Sequence, residues 1–269
     1  MIIDGRKIAG EILARAKTRA EKLARPPLVV ALTASDTPAT RSYLSMKAKR
    51  AVDAGCIFET RALGANFDDA DAVIVQLPVP VGVNQKEVCD AISVEKDADV
   101  LSSFARAQFE MLGLRNPSLL PPVVAAVREI FIQNGINAKG KKAVVIGNGW
   151  LVGNPCGVWL KQQGAEVSVL TLESDDLRNC ATPGVAQLSM ADIVISGAGS
   201  PHLIKPEMLK EGVVLIDAGT SESNGTIAGD ADPACADKCS IFTPVPGGVG
   251  PVSVACLFEN VVTLAERNI

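Results

Sequence analysis

Six short, almost wholly apolar runs limit what this chain can fold into: Leu28 to Thr33, Ala72 to Leu77, Ala143 to Ile146, Val167 to Leu172, Asp192 to Ser196 and Val213 to Asp217. They are rich in β-branched residues and too short to be helices, so they read as strands buried on both faces. Between them, apolar residues recur at helical spacing. Gly5 to Leu23 carries Ile8, Ile12, Leu13, Ala16 and Ala20 on one face. Further helices are expected from about Thr40 to Asp53, after Pro121-Pro122 to Gln133, from a glycine turn to Gln163, and from Val252 to Arg267. Strands that alternate with helices specify parallel sheets, because each parallel strand needs a crossover. A chain of 269 residues supports two modest cores. The expected class is therefore α/β with two domains. Residues 1–120 form the first, with the helix 252–269 returning to it, and residues 121–251 form a Rossmann-like doubly wound parallel sheet.

Scarce residue types exclude several chemistries. His202 is the one histidine, so a multi-histidine metal site is impossible and a Ser-His-Asp triad has only that residue to use. The seven cysteines are odd in number and lack a CxxC, and Cys235-x3-Cys239 alone completes no metal shell. Neither a metal nor a disulfide framework is expected. A net charge of −4 with 4% aromatic residues argues against a nucleic-acid surface. No apolar run reaches the roughly 18 to 20 residues that cross a bilayer, and the first residues lack the order of a secretory leader, so a cytoplasmic protein without a membrane partner is expected.

Gly147-Asn148-Gly149-Trp-Leu-Val152-Gly153 directly follows a strand and opens a helix. The first glycine permits a tight turn, the second lets backbone approach a pyrophosphate, and the helix N-terminus presents N–H groups and partial positive charge to an anion. A dinucleotide is expected there, although glycines also serve plain turns. Glu173 lies about 20 residues beyond Gly153, where an acid hydrogen-bonds a ribose 2′-OH; it equally suits the start of an acidic surface turn. Ser196-Gly197-Ala198-Gly199-Ser200 and Asp217-Ala-Gly-Thr220 end two strands with small residues, as a ligand lying across a sheet crevice requires.

Tyr43 and Lys47 stand four apart, on one helix face. A partly desolvated lysine there can move protons near neutrality, whereas the neighbouring Lys49 and Arg50 suit a solvated face. Gln76 is a polar side chain in an apolar strand and needs hydrogen-bond partners. Asp97-Ala-Asp99 offers carboxylates either to N–H donors of a heterocycle or to a turn. Thr243-Pro-Val-Pro-Gly-Gly-Val-Gly-Pro251 is too rich in proline and glycine for regular structure and reads as a shaped loop at a site.

In order, Ser42-Tyr-x3-Lys47, Val75-Gln-Leu-Pro-Val-Pro80, Lys96-Asp-Ala-Asp99, Lys142-Ala-Val-Val-Ile-Gly147, Val152-Gly153, Gly229-Asp230 and Thr243 to Pro251 resemble the bifunctional methylenetetrahydrofolate dehydrogenase/methenyltetrahydrofolate cyclohydrolase family over essentially the whole chain. The resemblance implies that Lys47 is the catalytic acid/base, that Gln76 tunes it, that Tyr43 packs on the folate and that Asp99 grips the pterin edge. Leu77, Pro246, Gly247, Gly248 and Pro251 would line the substrate. It further implies NADP or NAD as cofactor, tetrahydrofolate as the substrate class, no metal, and a homodimer. Four departures stand out. Val100 follows Asp99 where the family has glycine, and Pro121-Pro-Val-Val-Ala-Ala126 replaces Pro-Cys-Thr-Pro-x-Gly. Gly147-Asn-Gly149 replaces a Gly-Arg-Ser turn, and Thr171-Leu172 replaces His-Ser. The segment from Cys56 to Ala72 is also short. A folate- or nucleotide-binding paralogue with one activity or none is the alternative.

Overall fold

The computed structural model describes residues 1–34, 36–112, 119–171, 183–223 and 226–267. In chain order its elements are α1 (Gly5–Ala20), β1 (Leu28–Thr33), α2 (Pro38–Asp53), β2 (Ile57–Ala62), β3 (Ala72–Val75), α3 (Gln85–Asp90), α4 (Ser103–Leu112), α5 (Pro122–Gln133), β4 (Lys142–Ile146), α6 (Gly153–Gln162), β5 (Glu166–Leu170), α7 (Pro183–Leu188), β6 (Ile193–Ser196), β7 (Val213–Asp217), β8 (Ser221–Ser223), β9 (Thr226–Ala228), β10 (Cys239–Phe242) and α8 (Val249–Arg267). Two compact units emerge. One comprises Ala9–Pro122 with Val254–Ile269; the other comprises Met1–Ile8 with Val123–Ser253.

The first unit holds a three-stranded parallel sheet of order β2-β1-β3, with Val30 opposite Glu59 on one side and Val73 on the other. β1 and β3 are buried, as their apolar sequences require. β2 has no counterpart among the expected strands because it is an exposed edge whose charges interrupt any apolar run. Arg61 there bonds Glu59 Oε2 at 2.6 Å and Asp69 Oδ1 at 2.7 Å. α2 begins at Pro38, earlier than expected, because Thr37 Oγ1 caps it by accepting from Thr40 N and proline suits the first helical position. β3 stops at Val75, not Leu77, so Gln76 stands one residue past the strand while its N–H still donates to Leu32 O at 2.8 Å. From α8, the Phe258 ring meets Phe58 edge-on with centroids 6.5 Å apart.

The second unit is a five-stranded parallel sheet of order β10-β7-β6-β4-β5. Counted within the unit, that order is 2-1-3-4-5 read from β5, so the topological switch falls between β4 and β6, where open α/β sheets bind ligands beyond the strand carboxyl ends. Met1–Ile8, expected in the first domain, group with the second unit. Ile3 N donates to Phe242 O and Phe242 N to Met1 O, both at 2.9 Å, so the first residues close the β10 edge of the second unit. α8 also starts sooner than Val252: it takes in Val249, Gly250 and Pro251, because proline in a first helical turn forfeits no intrahelical bond. This 19-residue helix is, by length and composition, apolar enough to span a membrane, contrary to the sequence expectation. Its apolarity is accounted for by burial of Val252, Phe258, Val261 and Val262 in the fold.

Candidate functional site

In the first unit α2 carries Tyr43 and Lys47, and β3 delivers Gln76 beside them. Lys47 Nζ donates to Gln76 Oε1 at 3.1 Å, and Gln76 Nε2 donates to Leu77 O at 2.8 Å. The second bond orients the amide, so its oxygen faces the lysine. The polar residue at the end of an apolar strand thus has the partner that burial demands. Tyr43 keeps 44% of its surface exposed, leaving its ring available to a ligand.

Lys96, Asp97 and Asp99 divide their roles. Lys96 Nζ donates to Phe67 O and Asp68 O at 3.2 and 2.7 Å, tying down the short Cys56–Ala72 segment. Asp97 is 2% exposed and accepts from Leu101 N and Ser102 N, at 3.2 and 2.7 Å. It shapes the turn, as one of the two sequence readings had it. Asp99 accepts neither of these bonds. Burial pushes its carboxyl up to about 6, against the pull of the Lys47 ammonium and with a push from Asp97. Lys47, Gln76 and Asp99 therefore form one electrostatic group. Asn260, which sequence reasoning missed because it interrupts the apolar face of α8, donates to Ala98 O and Leu120 O at 2.9 Å and holds this loop.

Val100 has φ of 56°, the left-handed region that the glycine of the family accommodates and a β-branched residue does not. It is also buried. Val100→Ala loses packing and retains the left-handed penalty of about 1–2 kcal/mol, whereas Val100→Gly loses slightly more packing and removes that penalty. In denaturant titrations Val100→Gly should prove at least as stable as Val100→Ala; the reverse order would contradict strain at this residue.

In the second unit the glycine loop spans the switch point. Gly147 has φ of 87°, and a Cβ there would meet Gly197 O at 2.8 Å. A Cβ on Gly153 would overlap Gly147 O, and one on Gly197 would overlap the Val152 side chain. A Cβ on Gly149 would meet nothing within 4 Å, so its open side is free for an anion. Val152 precedes α6 without a side-chain cap. Gly153 is thereby brought against the backbone of Gly147 and Asn148, and Gly147 against that of Gly197 and Ala198, the close strand-turn-helix packing that a dinucleotide loop requires. Thr220 and Gly199 approach one another too, a Cβ on Gly199 lying 4.0 Å from Thr220 O. Leu172 and Glu173 lie outside the described residues.

Pro246, Gly247, Gly248 and Pro251 lie in this second unit. Gly5 N donates to Gly247 O at 3.0 Å, and a Cβ on Gly5 would overlap Gly248 O, so the start of α1 abuts this loop backbone to backbone. Sequence reasoning read Gly5 only as a helix start. Among the described residues no cluster of three or more metal-ligating side chains occurs.

Residues 121–269 match the sequence model of the tetrahydrofolate dehydrogenase/cyclohydrolase NAD(P)-binding domain, and residues 3–99 match that of the catalytic domain. The bifunctional protein FolD of Halothermothrix orenii is 35% identical over 97% of this chain and 96% of its own length. Among solved structures, the FolD methylenetetrahydrofolate dehydrogenase/cyclohydrolase of Campylobacter jejuni is 28% identical with a TM-score of 0.88, covering 100% of this chain and 99% of that one. The Trypanosoma brucei enzyme complexed with NADP and an inhibitor is likewise 28% identical at 0.88, covering 100% and 98%. Taken with the Lys47–Gln76–Asp99 group and the glycine loop, these matches establish that the chain belongs to the tetrahydrofolate dehydrogenase/cyclohydrolase family.

Proposed function

We propose that this chain oxidises 5,10-methylenetetrahydrofolate to 5,10-methenyltetrahydrofolate with NAD or NADP, and hydrolyses the methenyl compound to 10-formyltetrahydrofolate. The observation that carries this reading is the 3.1 Å Lys47–Gln76 bond beside Asp99, in the unit that matches the family's catalytic domain. Tyr43 offers its ring to the folate, Leu77 lies beside Gln76, and Asp99 accepts N–H groups of the pterin. Pro246, Gly247, Gly248 and Pro251 complete the proposed substrate-contacting set.

The second unit fits a dinucleotide on its own geometry: the Gly147 turn, the open side of Gly149 and the start of α6 leave backbone for a pyrophosphate. Asn148, Val152, Gly153, Gly197, Ala198, Gly199 and Thr220 are the proposed contacts, with Glu173 proposed at the ribose. When bound, the dinucleotide supplies the acceptor for the hydride that leaves the methylene carbon between N5 and N10. What the chain contributes to that step is orientation. Hydrolysis asks more of it. Water adds to the methenyl carbon and the carbon–N5 bond breaks; one proton of the attacking water reaches N5 by way of Lys47, held in place by Gln76, and the other is released to solvent as the formyl C=O forms. Given 5,10-methylenetetrahydrofolate in parallel with NAD and with NADP, the purified protein should reduce at least one of them; reduction of neither would overturn the reading.

Asp99 gives this reading a pH signature. Below about 6 its carboxyl is protonated and loses an acceptor that the pterin N–H groups need; above it the carboxylate accepts them. Folate affinity should therefore hold above pH 7 and weaken as pH falls through 6, approaching about tenfold per unit. Asp99→Asn should flatten that dependence. Calorimetric titrations from pH 5 to 8 would contradict the role of Asp99 if the two proteins gave the same slope.

A cytoplasmic homodimer belongs to the same proposal. Among the described residues Cys56, Cys89, Cys156, Cys235, Cys239 and Cys256 are buried, and Cys56, Cys89, Cys235 and Cys239 are free thiols, which suits a reducing compartment. β5 lies at a sheet edge with Ser168 and Val169 exposed, and edges of this kind are commonly covered.

A further inference from the structure

Two buried carboxylates in the second unit take no part in the chemistry above. Asp217 at the end of β7 is 1% exposed, and Asp230, just after β9, is 0% exposed. Removing a carboxylate from water costs several kcal/mol, so such groups persist only where donors replace the lost hydration. The donors to Asp230 come from a single segment. Its Oδ2 accepts from Ser196 Oγ at 2.6 Å and from Ala198 N at 2.7 Å, and its Oδ1 accepts from Ser200 N at 2.7 Å. One carboxylate thus braces the whole Ser196–Ser200 turn at the carboxyl end of β6.

Asp217 secures the brace from the next strand. Its Oδ1 accepts from Gly219 N at 3.0 Å and its Oδ2 from Ala231 N at 2.8 Å, so it holds the residue that follows Asp230. A Cβ on Gly219 would overlap the Asp230 carboxyl, and one on Gly229 would overlap Asp217 Oδ2. Glycine at these two positions lets the acids stand where they do. Thr243 Oγ1 adds a third tie by accepting from Asp217 N at 2.7 Å. The carboxyl ends of β6, β7 and β10 are fixed relative to one another by side chains that no ligand need touch.

We propose that Asp230 is a positioning residue for dinucleotide binding: by accepting all three hydrogen bonds it sets the backbone of Gly197–Gly199 against the Gly147 turn. The inference rests on the reading above that Gly197, Ala198 and Gly199 contact the dinucleotide. Asp230→Asn tests it with little change of shape. Both carboxylate oxygens accept, so either orientation of an amide turns an NH2 toward a donor and breaks at least one bond.

Reduced dinucleotide, NADH and NADPH separately, is titrated by fluorescence into the wild-type protein and into Asp230→Asn and Ser196→Ala, with methenyltetrahydrofolate hydrolysis measured in the absence of dinucleotide. Asp230→Asn should raise the Kd by tenfold or more. Ser196→Ala, which removes one of three donors and leaves both backbone bonds, should raise it by a smaller factor and covers the case in which Asp230→Asn fails to fold. Hydrolysis in both should remain near wild type. An unchanged Kd in a folded Asp230→Asn protein, or an equal loss of dinucleotide binding and hydrolysis, would overturn the assignment. A wild-type protein that binds neither dinucleotide would instead overturn the underlying reading.

Discussion

Replacement of Lys47 by methionine is expected to slow hydrolysis of methenyltetrahydrofolate by about 10²- to 10⁴-fold, the range over which a positioned acid/base acts. Methionine keeps most of the apolar stem and removes the ammonium, so the half-buried packing of α2 changes little. Gln76 keeps its bond to Leu77 O and loses only its bond from the lysine. Hydride transfer, which asks for orientation rather than proton movement, should fall far less. A second consequence separates this account from a general loss of binding. The Lys47 charge holds the Asp99 carboxyl down, so its removal moves the acid limb of folate binding to higher pH than about 6. Unchanged hydrolysis in Lys47→Met would remove the lysine from its role.

The next largest effect is expected at Gly153. A Cβ there overlaps Gly147 O, and Gly147 is itself confined by Gly197 O, so the methyl group has no flexible side chain to displace. Gly153→Ala should lower stability by about 1–3 kcal/mol and weaken dinucleotide affinity by about tenfold or more. Gly149→Ala is the informative comparison. Its φ is not left-handed and no atom lies within 4 Å of the added carbon, so the folded protein should tolerate it. If a pyrophosphate packs on that open side, affinity falls with the melting temperature unchanged. Equal affinity for Gly149→Ala and wild type would place the pyrophosphate elsewhere.

Residues that announce their role by local pattern were legible in the sequence. Leu28–Thr33 and Val213–Asp217 are strands over the residues their apolar runs mark, and Gly147 to Gly153 forms the strand-turn-helix that its spacing predicts. Lys47 and Gln76 meet because a strand end and a helix face are brought together, which a polar residue in an apolar strand already hinted. β2 was hidden because an exposed edge strand is free to carry Glu59, Thr60 and Arg61 in succession, erasing the apolar run that marks a buried strand. The start of α8 was hidden because Pro251 reads as a breaker unless it falls in a first turn. Asp230 could be found only by resemblance. Its three donors lie 30 to 34 residues earlier, and no local pattern distinguishes a carboxylate that braces a distant turn from one that faces water.

The two-step chemistry is tested most directly by following methenyl absorbance over time after 5,10-methylenetetrahydrofolate and NAD, or NADP in parallel, are added to the purified wild-type protein. The account predicts a transient, in which absorbance grows as reduced dinucleotide forms and then decays as 10-formyltetrahydrofolate accumulates. A methenyl signal that rises and decays no faster than in buffer would contradict the hydrolytic role given to Lys47, and the absence of any signal with either dinucleotide would contradict the account as a whole.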